Sequence, residues 1–148
     1  MKKEFTRVRS ALDWTISLIL LIAGCVTVAI PTPAAVNIAA IFVIFAGILL
    51  IVVLRSAWKD KETGEKYHKK EFYFPQSCRD RIIKAVSDDI GSIDMQEEDK
   101  GNGLRLDLFY NRHTGKAYLQ VFEYIPYRYE PATEFFEQPV SKIGKLLK

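Results

Sequence analysis

The side chains of this chain best suited to chemistry are aromatic and basic. All seven tyrosines fall after the apolar N-terminal third. In the run Ala117–Tyr127, strict alternation puts Tyr118, Phe122 and Tyr124 on one face, and Tyr127, Arg128 and Tyr129 follow Pro126. Arg105, Arg112, His113 and Lys116 lie close by in sequence. Rings stack on nucleobases and guanidinium groups fork onto phosphate oxygens, so the mixture suits an anionic, ring-bearing ligand. The candidate ligand-binding residues are Arg105, Arg112, His113, Lys116, Tyr127 and Arg128. The stretch NRHTGK could also cradle an anion with its backbone N–H groups, although a hairpin turn needs Asn and Gly in any case. The competing reading is a small sheet whose rings are core and whose cations are solvated.

Other chemistries find no foothold. The spacing GxxxxGK[ST] of a phosphate-binding loop is absent. His68 lies in a charged stretch, and His113 has no recognisable Ser or Cys nucleophile beside it. Asp88, Asp89, Asp94, Glu97, Glu98 and Asp99 spread over a helix end and a strand, without the spacing of a calcium loop. Cys25 and Cys78 are too far apart in context to pair, which fits a reducing compartment, and neither has metal-ligand neighbours. The sequence therefore points to a non-enzyme that needs no cofactor and no metal. Duplex nucleic acid is not expected as a partner.

Those residues sit on a pattern of short elements. Glu71–Phe74 reads as a strand stopped by Pro75. Ile82, Ile83, Val86 and Ile90 recur at helical spacing, which predicts a helix over Ser77–Ile90 with Ser77 as its cap. Ser92–Gln96 reads as a strand, Glu98–Gly103 as a turn, and Leu104–Tyr110 and Ala117–Tyr127 as strands around NRHTGK. The C-terminal segment, 132–148, can pack on the sheet or lie on a membrane as a basic amphipathic helix. The expected fold is a two-helix transmembrane hairpin followed by a small α+β cytosolic domain, one helix on an antiparallel sheet of three to four strands. Its parts are a basic leader over 1–10, the hairpin over 11–54, a charged linker over 55–70 and the domain over 71–148.

The hairpin follows from charge. No charged side chain occurs between Asp13 and Arg55. A crossing needs roughly 20 apolar residues, so this window holds two, about 11–30 and 34–54, parted at Pro31-Thr32-Pro33. Lys2, Lys3, Arg7 and Arg9 precede it, and Arg55, Lys59, Lys61 and Lys66 follow, while the turn is uncharged. Positive flanks mark the cytoplasmic side, so both termini are expected inside. Trp14, Trp58 and Arg55 are expected at the membrane interface. A cleavable signal peptide ending near Pro33-Ala34-Ala35 is the rival, but the apolar run is long for one and a second follows at once. Small residues (Ala23, Gly24, Thr27; Ala35, Ala39, Ala40, Gly47) either seat the two helices together or also join copies of the chain. The absence of intramembrane charge argues against a proton relay, a transporter or a classical ion filter.

This layout, a two-span hairpin with both ends inside and a small basic and aromatic domain behind it, resembles the membrane-anchored CRISPR accessory effectors that respond to cyclic oligoadenylate. The resemblance covers the whole chain in layout and rests on no motif. It implies a homo-oligomer in the bacterial inner (cytoplasmic) membrane that binds cyclic tetra-adenylate and disrupts the bilayer to halt phage growth. The alternative is a non-catalytic anchor or scaffold that docks a cytoplasmic protein.

Overall fold

The computed structural model describes residues 2–99, 101 and 103–148. The chain divides into two compact units, one spanning 7–57 and the other made of the leader up to Thr6 together with 58–148.

The first unit is a helix pair, α1 (Ala11–Ala29) and α2 (Ala34–Val53), each long and apolar enough to cross a membrane. At about 1.5 Å per residue each reaches about 30 Å. Ser10 starts α1 through a reciprocal capping box with Asp13. The same carboxylate accepts from the Ser56 N–H (2.8 Å) and hydroxyl (2.7 Å), tying the start of α1 to the chain just past α2. At the far end Pro31 and Pro33 stop helical bonding, and Thr32 donates to Asn37 at 2.7 Å. The small residues do seat this pair: a Cβ on Gly24 would lie 2.6 Å from Ile44 Cγ1, and one on Gly47 3.0 Å from Leu21 Cγ. Elsewhere the helices leave apolar side chains uncovered, Phe42 at 70% and Phe45 at 65% exposure among them.

The second unit is an antiparallel sheet with short helices on one face. Its strands are β1 (Phe5–Val8), β2 (Ala57–Asp60), β3 (Lys66–Phe74), β4 (Leu104–Asn111), β5 (Lys116–Ile125), β6 (Arg128–Pro131) and β7 (Phe136–Pro139). The order is β1-β2-β3-β4-β5-β6, with β7 also on β5, so the sheet has seven strands where three or four were expected. β6 pairs with Phe122–Ile125 and β7 with Lys116–Leu119. Between them Thr133 takes over: its hydroxyl accepts from the Val121 N–H, its carbonyl from Gln120 Nε2, so no edge amide there is stranded.

The helical face carries the main core. Phe72, Phe74, Leu104, Leu106, Leu108, Leu119 and Val121 meet Ile82, Val86 and Ile90. Full burial of each such side chain contributes about 1.5–3 kcal/mol. Helix α3 runs over Arg79–Ser87, shorter than Ser77–Ile90, because Gln76–Cys78 and Ile90–Ser92 close as 3-10 turns; Ser77 forms no cap bond. Ser92–Gln96 is likewise not a strand but two tight turns, with Asp89 and Asp94 accepting from backbone two residues on. Of the Glu98–Gly103 turn, residues 100 and 102 lie outside the described residues. The C-terminal segment packs on the sheet: a 3-10 turn over Val140–Ile143 and α4 (Gly144–Leu147) bury Ile143 and Leu146 in the main core.

Two expected boundaries move. The charged linker 55–70 is instead the β2–β3 hairpin, turned around a wholly buried Asp60 that accepts from the Glu62 N–H and the Thr63 hydroxyl at 3.0 Å each. Gly64 supplies the positive φ (75°) that the turn needs. The leader is also not free: Lys61 N–H donates to the Glu4 carbonyl at 3.0 Å and Lys3 Nζ to Asp60 at 2.8 Å.

Candidate ligand-binding cavity

The face of the sheet turned away from α3 carries aromatic and ionic side chains by simple alternation: Tyr67, Lys69, Glu71 and Tyr73 on β3, Arg105, Asp107 and Phe109 on β4, Tyr118, Gln120 and Phe122 on β5. Onto this face fold Trp58 from β2, Phe135 from the β6–β7 connection, and Phe5 from the leader. Phe5 lies flat on Phe109, centroids 4.1 Å apart and planes 4° from parallel, and meets Tyr67 (5.4 Å) and Phe135 (5.5 Å) edge-on. Beside this cluster opens a cavity of about 310 Å³, lined by Lys3, Phe5, Trp58, Lys69, Arg105, Asp107, Phe109, Gln120, Phe122 and Phe135.

The lining holds three cations and one carboxylate. Each cation is held in place. Lys3 Nζ bonds Asp60 (2.8 Å) and Glu62 (3.1 Å). Lys69 Nζ bonds Glu71 (2.5 Å) and Asp107 (2.8 Å) and lies 5.0 Å from the Trp58 ring centre. The Arg105 guanidinium is sandwiched by Phe122 (4.5 Å) and Tyr129 (4.9 Å). Asp60, Glu62 and Glu71, the partners of Lys3 and Lys69, are not among the residues that line the cavity.

Asp107 is the odd member. Its Oδ2 pairs with Lys69, and Arg105 Nη2 donates to it weakly at 3.3 Å. Its Oδ1 sits 2.8 Å from Arg105 Nε, yet that N–H does not point along a hydrogen bond, and both buried atoms lack a hydrogen-bond partner. A buried, unspent acceptor is costly, and a ligand N–H can repair it once Arg105 turns aside. Burial pushes the Asp107 carboxyl above the usual carboxylate range, Lys69 and Arg105 offsetting only part of this. For Asp60 the order reverses: burial pushes it up, but bonds from Lys3, the Glu62 amide and Thr63 outweigh that and hold it below. The bond to Asp60, against the cost of burial, holds Lys3 well above the ordinary lysine range.

Of the six candidate residues only Arg105 lines this cavity. Arg112, His113 and Lys116 are exposed at the β4–β5 turn; Tyr127 and Arg128 are exposed at the β5–β6 turn, the other end of β5. Ten residues of strand, about 30 Å, lie between the two groups, so they form no common site. The NRHTGK turn uses two of its amides internally: Asn111 Oδ1 accepts from His113 N–H (2.8 Å) and Thr114 N–H (3.2 Å). Lys116 pairs with Glu137 at 3.7 Å, and Arg128 with Glu130. At the other turn Pro126-Tyr127 makes a type II bend, and Tyr127 takes φ 75°, where glycine is ordinary, with its ring 97% exposed. Trp58, expected at the membrane interface, packs against the aromatic cluster, edge-on to Phe109 at 5.4 Å. Trp14 is half exposed with the Arg9 guanidinium 5.3 Å from its ring, and Arg55 is exposed.

Asp107 was legible as a member of this face, since β4 alternates cleanly, whereas Lys69 lay in the stretch expected to be a charged linker and is in fact part of β3. Lys3 and Phe5 were not legible, because nothing local says that a basic leader folds onto a strand more than fifty residues on. Among the described residues no group of His, Cys, Asp and Glu is placed to hold a metal ion. Compared with protein-family models, curated proteins and solved structures, the chain matches none.

Proposed function

We propose that this chain is a membrane-anchored binding protein whose sheet domain takes one nucleotide-like ligand, an aromatic ring joined to an anion, in the cavity over β3–β5. The observation that carries this reading is the cavity's lining, in which cations, aromatic rings and a carboxylate with an unspent acceptor converge. Rings stack on the base, Lys3, Lys69 and Arg105 meet phosphate, and Asp107 takes an N–H from the base edge. The volume suits a single base with its sugar and phosphate. A ring of four nucleotides would have to be shared between copies of the chain. Cyclic tetra-adenylate binding, hairpin assembly and disruption of the membrane in antiphage defence are the full form of the proposal.

The anchor reading draws on the helix pair. Its apolar side chains stay uncovered over both helices, far beyond the patch a soluble monomer exposes. That the leader and residues 58–148 fold as one unit supports placing both on the same side of a bilayer. The positive flanks support the cytoplasm as that side. No residue set arranged for bond-making is part of this proposal.

Titration of the detergent-solubilised full chain with adenosine, guanosine, cytidine and uridine triphosphates and with cyclic tetra-adenylate tests it. Saturable binding that falls tenfold or more in Arg105→Ala and Lys69→Ala, and is unchanged in Arg112→Ala/Lys116→Ala, supports the cavity. Absence of binding to the folded wild type removes it. The scaffold reading is favoured by one observation, the strained, fully exposed Tyr127 at a hairpin tip beside exposed Ile125. A stoichiometric protein partner lost in Tyr127→Ala would support that alternative.

A further inference from the structure

We infer that the amino-terminal leader is a working part of the cavity, so that a bound ligand and the docked state of residues 3–6 stabilise each other. This rests on the cavity being a ligand site, and it adds how occupancy reaches the first apolar helix. The leader supplies Lys3, one of three lining cations, and Phe5, one of five lining rings. Its hold on the domain is specific. The Lys3 side chain is 7% exposed and its partner Asp60 is 0% exposed, though 57 residues separate them in sequence. Phe5 is stacked on Phe109 at 4.1 Å.

That hold is also the hold of an edge strand, with β2 as its neighbour in the sheet. The leader is held to β2 and its turn by the pairing of β1 with β2, by Lys61 N–H donating to the Glu4 carbonyl, by Thr6 Oγ1 donating to the Lys59 carbonyl at 3.4 Å, and by the side-chain pairs of Lys3 and Glu4. A short edge segment held this way opens locally without unfolding the sheet. A ligand that touches Lys3 and Phe5 finds them only in the docked state. Linkage then requires that binding favour docking by the same factor by which docking favours binding. Only Arg7, Val8, Arg9 and Ser10 separate Thr6 from α1. Occupancy of the cavity therefore fixes the chain up to four residues from the first apolar helix, and an empty cavity leaves that chain freer to detach. This gives a physical route from a soluble ligand to the membrane segment, through the peptide chain itself.

The test is hydrogen exchange of the full chain in lipid nanodiscs, with and without adenosine triphosphate, read on peptides covering residues 2–8 and 59–63. Exchange in both is expected to slow tenfold or more at saturating nucleotide. Lys3→Met, which leaves the Glu62 and Thr63 bonds to Asp60 in place, is expected to speed exchange of the leader and weaken nucleotide binding tenfold or more. Asp60→Asn is expected to act in the same direction. If nucleotide binds while leader exchange stays unchanged, or if Lys3→Met and Asp60→Asn bind it as wild type does, the coupling is wrong and the nucleotide site stands. If the folded wild type binds no nucleotide, both fall.

Discussion

Phe5→Ala isolates the leader's docking from any ligand. Phe5 is half-buried and touches four rings: Phe109 at 4.1 Å, Tyr67 at 5.4 Å, Phe135 at 5.5 Å and Tyr118 at 5.9 Å. Truncating a fully buried Phe costs about 3–5 kcal/mol. Phe5 keeps part of its ring in water, so about 2–3 kcal/mol is expected, of which aromatic pairing contributes about 0.5–1.5 kcal/mol per good pair. Because the leader opens by itself, this loss falls on local opening, not on the whole sheet. The Lys61 N–H, which donates to the Glu4 carbonyl, reports it. A loss of about 2–3 kcal/mol speeds its exchange roughly 30- to 150-fold, at tenfold per 1.4 kcal/mol. The Leu104 and Leu106 amides, deep in β4, are expected to keep their wild-type protection. Phe5→Leu keeps aliphatic contact and is expected to fall between the two. Wild-type exchange at Lys61 in Phe5→Ala would refute docking of the leader through its ring.

Three further outcomes are expected. Gly24→Leu places carbon where Ile44 Cγ1 already lies 2.6 Å from a Cβ, so it is expected to part α1 from α2 at a cost of about 1–3 kcal/mol, checked by thermal unfolding in detergent and by loss of a disulfide cross-link engineered between the helices. Tyr127→Gly relieves a left-handed backbone at an exposed tip and is expected to raise stability by about 1 kcal/mol, read from urea unfolding; a loss of stability would show that the ring packs in a way its 97% exposure denies. Acid is expected to release the leader. The folded-state Asp60 value is depressed, so its contribution is present above the ordinary carboxylate range, near pH 4, and is lost as pH falls through the depressed value. Lys3 is raised, so its contribution is complete below the ordinary lysine value and is lost only in strong alkali. Protection of residues 2–8 is thus expected to be flat from about pH 5 to 9 and to drop below about pH 4, and to lose its acid limb in Asp60→Asn.

What was legible followed local periodicity. The charge-free window and its proline pair gave two long apolar helices, because unbroken apolarity over about 20 residues marks such a helix and Pro breaks it. The alternation Leu104-Arg105-Leu106-Asp107-Leu108 gave β4 both of its faces, core on one and ions on the other. Ile82 and Val86 gave α3 its buried stripe, though not its ends, which depend on tight turns at Gln76–Cys78 and at Ile90–Ser92, where Ile90 itself is buried. Lys59–Lys70 misled because its charges hide a strand period: Tyr67 and Lys69 point to the aromatic face while Lys66 and His68 are exposed.

Sequence alone, then, determined which stretches are apolar helix, which alternate as strands and which side chains share a face of each strand, since these follow from repeat lengths along one segment. Only the tertiary structure decided which faces meet. It brought Lys3 to a buried Asp60 and Phe5 onto Phe109, left Arg112 and Arg128 at opposite ends of β5, and drew Trp58 into the sheet. Such pairings are set by closing long loops against the burial of rings and charges, and no local pattern in the chain records that balance.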